Sequence, residues 1–453
     1  MTTDDMPIPA ASAEEQLSRL QRMLARSIGA GTPPPEAVRE KAKLMLLDTI
    51  GCILAGRRAA EMTALEAALA AVEAGAFRFP GGMGLSTQSA VAIAAMGATW
   101  DEVCEGLPYA HGRPGLPVIG ALLPLAVVRN APLEELLCSL ITGYEVGARM
   151  GGWLRIRPGM HVDGNWPALG AAAAVAKLLG LSPEQTFTAI NIAACQLPAS
   201  VYPPIKTGDY ARNTYIAHTA WLGLLAAFSA AAGISAPQEA LVHYAQGYAA
   251  ASSTAAPEPD YYFILDAYFK PYASVRHAHY GIDAARRIRE QLKGDTSAIK
   301  AIRLRTYEEA VTYAGINRAP RAPIQAQFSL SFAVAAGLRF GGMEAEIFRP
   351  EHFNDAELRR LEQLVQIEAD PAMGTGGKRS AVLSVEAGGR CYEATSDKLR
   401  GDSEFPFSRE EMVAKFLRCA RGAVTEEKAR HFAAALMDNH DDRGFGALWA
   451  QLC

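Results

Sequence analysis

Runs of alanine at helical spacing constrain this chain more than any other feature. Residues 168–175 and 222–232 are apolar and alanine-rich, and each is shorter than the roughly 20 residues that a membrane span needs. Such runs read as buried helices packed closely against other helices. Helical spacing also runs through residues 14–28, ending at Gly29 and Gly31, and resumes after Pro33, Pro34 and Pro35. There, residues 36–54 present Ala42, Met45, Leu46 and Ile50 on one face before Gly56. Residues 60–73, 85–103, 116–129 and 133–151 repeat the pattern, with Gly- or Pro-bearing loops between the later ones. The 168–179 helix stops at Gly180, and Ser182, followed by Glu184 and Gln185, caps the next. Up to about Lys270 the spacing predicts helix and no strand.

After residue 295 the period changes. Residues 299–307 alternate, with Ile302 and Leu304 between Arg303 and Arg305, as a half-exposed strand does. Residues 365–368 form a short strand candidate, and residues 381–395 read as a hairpin turning at Gly388 and Gly389. Helices near 326–338 and 355–364 lie between these strands, and helix returns at 408–419 and 426–437. The expected fold is mostly α, a large all-helical domain with a smaller α+β lid domain. The boundaries predicted are a disordered leader over 1–14, a helical domain over 15–272 and 406–453, and a lid over 273–405.

A chain of 453 residues with 50% hydrophobic residues, 20% charged residues and a net charge of -4 has ample material for a core. Its basic residues are not gathered in runs, so neither nucleic acid nor a membrane is an expected partner. The first 14 residues have no positive region followed by an apolar one, and so predict no signal peptide. Seven scattered cysteines without a CxxC pair suggest reduced thiols in a cytoplasmic protein, and argue against a zinc or iron–sulfur site. GxGxxG after a strand, a P-loop, HExxH and GxSxG are all missing from the sequence. The expected chemistry therefore uses ordinary side chains, with no cofactor and no metal: proton transfers, eliminations and additions.

The densest set of such side chains runs from Phe269 to Asp283, where Lys270, Arg276, His277 and His279 gather as a loop enters a helix. A helix N-terminus with cations beside it suits an anion, most simply a carboxylate. Histidine titrates near neutral pH and so serves as acid or base. The plainer alternative is that Lys270, Arg276 and His277 form a solvated face and His279 caps a core helix.

Several stretches, in order from about 45 to 420, resemble the MmgE/PrpD family, which includes 2-methylcitrate dehydratases, cis-aconitate decarboxylase and iminodisuccinate epimerase. They are Leu47-Asp48-Thr49-Ile50-Gly51 with Ala55-Gly56, Met160-His161 before the helix ending at Gly180, and Lys270-Pro271-Tyr272 through Arg276, His277, His279 and Asp283. Ala326-Gln327-Phe328-Ser329-Leu330 and Asp397-Lys398-Leu399-Arg400-Gly401 with Pro406 complete the set. The resemblance implies a homodimer of two-domain subunits with a site between the domains. It also implies a cofactor-independent lyase, of dehydratase or decarboxylase type, that removes a proton next to a carboxylate of a small di- or tricarboxylate. An epimerase or isomerase on a dicarboxylate, or a non-catalytic carboxylate-binding homologue, are the alternatives.

Carried over position by position, His161 stands where the family has a site histidine, and Lys270 and His279 stand in its Lys-Pro…His stretch. The family's acidic segment, Asp-Phe-Asp-Asp-Thr, resembles Thr99-Trp100-Asp101-Glu102-Val103, with threonine for the first acid and valine for the last threonine. Arg113 replaces the usual histidine of His-Pro-Gly, and Arg212 the usual lysine of Lys-x-x-His-x-Gly. The catalytic candidates are thus His161, His279, Asp101 and His277, and the substrate-binding candidates are Arg113, Arg212, Lys270, Arg276 and Lys206. For Asp101 and Glu102 the alternative is an ion pair that orients Arg113; for His161 it is a buried histidine bonded to a backbone carbonyl. Tyr313 and Gln327 are candidates for the lid side of the site.

Overall fold

The computed structural model describes residues 13–29, 33–248, 251–252, 261–377, 379–438 and 444–453. Its larger part is a stack of helices around the Pro167–Leu178 helix, in which Ala171 to Ala174 are fully buried. Neighbouring helices Leu133–Trp153 and Thr214–Ala231 press on it from two sides. A Cβ on Gly143 would lie 2.5 Å from the Ala174 Cβ, and one on Gly170 would lie 2.6 Å from the Gly143 carbonyl oxygen. The small residues are there because the helix backbones touch. Among the described residues no helix is long and apolar enough to cross a membrane.

The smaller part has a four-stranded sheet in the order Arg390–Ser396, Ala381–Ala387, Ile299–Thr306, Val365–Ala369. The first three run antiparallel and the last parallel to Ile299–Thr306, reached by a helical crossover. Ile302 faces Val385 and Leu304 faces Leu383 across the central pair, and the His279–Gln291 and Leu330–Phe340 helices pack with this sheet. The hairpin turns where its two glycines adopt φ of +57° and +76°, a conformation that costs side-chain-bearing residues more. One apolar core collects residues from Leu20 to Ala273 and from Met412 to Leu452. The second collects residues from Ala278 to Leu399.

The chain passes between the two parts twice, and the two passages are tied together. Phe269 N–H donates to the Gly401 carbonyl at 2.9 Å, and Arg276 pairs with Asp402 while its guanidinium lies over Tyr268 and Tyr280. The returning Arg409–Ala420 helix packs on Glu36–Gly56. There the buried Lys415 ammonium pairs with Asp48 at 2.6 Å and donates to the Val103 carbonyl at 2.8 Å. Lys415 thereby holds the segment that leads to the charged cluster described below.

One expectation needs correction: the stretch before Lys270 is not free of extended structure. Phe77–Arg78 pairs with Gly84–Leu85, Glu105–Gly106 with Tyr268–Phe269, and Leu154–Arg155 with Ala251–Ser252. Each of these strands is two residues long, too short for an alternating pattern to show in the sequence. Of the expected disordered leader, residues 1–12 lie outside the described residues, and its last two positions open the Ala13–Ile28 helix.

Replacing Lys415 with methionine leaves the Asp48 carboxylate buried without its partner, and is expected to cost about 3–5 kcal/mol. Denaturant unfolding of K415M reads this directly. A double variant, D48L/K415M, is expected to recover most of the loss, because two apolar groups replace the pair.

Candidate functional site

Glu102 follows the Thr87–Trp100 helix with a φ of +54°, a left-handed conformation that a glutamate adopts at a cost. Lys270 holds it there, donating to the Glu102 carbonyl at 3.1 Å and to its carboxylate at 2.7 Å. The other carboxylate oxygen accepts from Arg113 at 2.9 Å and from Arg212 at 2.7 Å. Arg113 also reaches Asp163 and the Cys104 sulfur, while Arg212 donates to Thr99 Oγ1 at 2.8 Å and to Asn213 at 3.1 Å. All of these charged groups are buried. Burial alone would raise the Glu102 carboxyl, but Arg113, Arg212 and Lys270 hold it well below the usual range. Burial opposes the ionised form of Asp163 too, and Arg113, His161 and Arg212 bring its carboxyl below the usual value.

His161 caps the short turn Val162–Gly164, and its Nδ1 accepts the Asp163 N–H at 3.2 Å. Burial, with Arg212 and Arg113 nearby, lowers its pKa to about 4 against the pull of Asp163, so the ring is neutral at pH 7. Its ring stacks on Tyr202 at 5.8 Å and tilts against Tyr215. Beside it lies a cavity of about 60 Å³, whose walls include Arg155, Asn165, Ser200 and Tyr244. The three cations Arg113, Arg212 and Lys270 outnumber the carboxylates Glu102 and Asp163 by one. Glu105, also fully buried, is a third carboxyl facing Arg113 and Lys270, and burial raises it to about 8.

The sequence candidates divide. Arg113, Arg212, Lys270 and His161 come together around Glu102 and Asp163. Asp101 does not join them: it follows the helix end, its electrostatic neighbours are Arg58 and Glu346, and burial raises it to about 7. His279 is fully buried, its Nε2 is 3.2 Å from the Ser274 carbonyl, and its ring packs edge-on against Tyr272. Arg276 ties the two passages between the domains, and Lys206 is exposed, meeting Gln325 only through its backbone carbonyl. The solvated face considered for Lys270 and Arg276 is overturned, since both are buried.

His277 lies in the smaller part, with Nδ1 2.7 Å from the Tyr307 hydroxyl and its ring stacked on Tyr313. Tyr313 in turn meets Tyr202 at 6.0 Å, so aromatic rings link His277 to His161 across the two parts. Gln327 also crosses, donating to the Trp100 carbonyl at 3.0 Å. Sequence reasoning passed over Asp163, Tyr202 and the central place of Glu102. The spacing of His161 and Asp163 in one short turn was the available signal for the first; Tyr202 carried none.

Residues 30–260 match the MmgE/PrpD N-terminal domain, and residues 272–440 match the MmgE/PrpD C-terminal domain. Among curated proteins, the chain is similar to the cis-aconitate decarboxylase of Homo sapiens, with 28% identity over 322 residues, and to that of Mus musculus, with 25% over 328. Each match covers 66% of this chain and 65% of the relative.

Glu102→Gln is expected to destabilise the fold by about 3–5 kcal/mol at pH 7, because three buried cations lose their common partner. The native carboxyl lies below its ordinary value of 4.5, so its contribution is complete above that value and is lost as pH falls through the native pKa. Unfolding of both proteins from pH 7 to pH 3 is therefore expected to show the gap narrowing only below about pH 4.5.

Proposed function

Because the chain belongs to the MmgE/PrpD family, we propose that it is a lyase of the dehydratase or decarboxylase type acting on a small di- or tricarboxylate. The observation that carries this reading is the buried cluster of Arg113, Arg212 and Lys270 near His161, whose ring lines a cavity together with Arg155. A carboxylate of the substrate in that cavity is received by Arg155 on its wall, which makes no ion pair among the described residues. Loss of water or carbon dioxide next to a carboxylate develops enolate-like charge, which buried cations stabilise strongly because little water screens them. The similarity to cis-aconitate decarboxylases supports the same class.

The reading includes a cytoplasmic homodimer. Exposed Leu225 and Phe228 on the Thr214–Ala231 helix support self-association. Light scattering of the purified protein is expected to give twice the 48.4 kDa chain mass.

Proton NMR of the purified protein with a panel of di- and tricarboxylates in deuterated water tests the function. Consumption of one acid, with an unsaturated or decarboxylated product, is the expected result. Inversion of a centre without loss of a group would instead indicate an epimerase. Binding by calorimetry with no turnover of any acid would indicate a carboxylate-binding protein.

A further inference from the structure

Arg155 on the cavity wall acts electrostatically on two residues of one turn, Tyr109 and His111. In that turn the Leu107 N–H donates to the Gly112 carbonyl at 2.9 Å, and the His111 N–H to the Pro108 carbonyl at 3.1 Å. His111 holds a φ of +52°, a left-handed conformation that a histidine adopts at a cost. Its charged neighbours come from both parts of the molecule: Arg155 from the helical part, and Glu309 and Arg379 from the smaller one. The seam between the parts therefore passes close to the cavity here, with a guanidinium on either side.

Arg379 reaches this seam with donors to spare. Its Nη2 donates to Glu309 at 2.9 Å and its guanidinium lies over the Tyr307 ring at 5.7 Å, while Nε and Nη1 have no hydrogen-bond partner among the described residues. The side chain is 31% exposed, so water screens the pair with Glu309 and an incoming carboxylate competes for the guanidinium. A run of contacts leads from there back to the cavity. The Tyr307 hydroxyl is 2.7 Å from His277 Nδ1, the His277 ring stacks on Tyr313, Tyr313 meets Tyr202, and Tyr202 stacks on His161, whose ring lines the cavity with Arg155.

We propose that Arg379 recognises a second carboxylate of the ligand whose first carboxylate Arg155 receives, so that an acid with two carboxylates bridges the two parts of the molecule across the seam. This rests on the reading above that Arg155 receives a carboxylate in the cavity. A guanidinium matches a carboxylate with two parallel hydrogen bonds, which a neutral amide cannot accept in the same way. An acid with one carboxylate satisfies one arginine and leaves the other in water. Binding therefore selects diacids over their monoamides, and Arg379, which the smaller part supplies, sets that selection.

Calorimetry of the wild type, R155Q, R379Q and E309Q with succinate, glutarate, adipate and the monoamide of each tests this without any turnover. For at least one pair the wild type is expected to bind the diacid about 10- to 100-fold more tightly than the monoamide, the usual worth of charge-assisted hydrogen bonds. R379Q is expected to bring that diacid down to the affinity of the monoamide, and to change the monoamide much less. E309Q removes the ion pair but keeps the guanidinium, and is expected to bind the diacid at least as tightly as the wild type. Equal losses in E309Q and R379Q would assign the pair a structural role only and overturn the proposal. So would R379Q with wild-type affinity for every diacid, or a wild type that binds none of them or does not distinguish diacid from monoamide. R155Q separates the proposal from the reading beneath it. Wild-type affinity in R155Q would remove the carboxylate reading of the cavity and the proposal with it, whereas a loss in R155Q with none in R379Q would leave that reading and reject Arg379 alone. Absence of turnover on every acid would count against the lyase, while the binding results still decide the role of Arg379.

Discussion

The Glu102 carboxylate is the interaction on which the site depends. Three cations brought from distant parts of the chain meet it in a buried space. Each alone would face a large desolvation cost there, and the shared carboxylate offsets it. The left-handed backbone at Glu102 is the local consequence, because that conformation presents both its carbonyl and its side chain to Lys270. Asp163 closes the arrangement by engaging the two arginines from the side of His161.

This cluster is supported from outside the site. Lys415, on the helix that returns from the smaller part, anchors the Val103 carbonyl next to Glu102 and is itself neutralised by Asp48. Lys270 leaves the helical part just before the chain enters the smaller one, and Phe269 beside it is tied to the returning chain at Gly401. The same few residues therefore hold the charged cluster and join the two parts, so the geometry of the site is coupled to how the parts meet.

Where the sequence departs from the family pattern, the replacements fit one another. Arg212 donates to Thr99, a neutral oxygen at a position where the pattern has an acid, and the second acid in contact with the arginines comes from Asp163. Val103 contributes its carbonyl rather than its side chain. A site with arginine at 113 and 212 has exchanged groups that can give up a proton for permanent cations. It has kept a neutral histidine whose orientation is set by a backbone amide.

Local pattern made the helical frame legible, as well as the change of period after residue 295 and the hairpin at Gly388 and Gly389, because each depends on side chains a few positions apart. Residues 270, 113, 212 and 161 stood out as site candidates through their chemistry and their likeness to a family, and the fold gathers them in one buried charged cluster. What the sequence alone determined was therefore the elements and the stock of charged groups. Their pairing was decided by the tertiary structure. Lys270 and Glu102 are 168 positions apart, and Arg212 and Glu102 are 110 apart. No local period reports on such distances. Burial then settles which of the charged groups share a carboxylate, and which of the histidines borders a cavity and which is sealed in a core, because an ion survives away from water only where the fold supplies its partner.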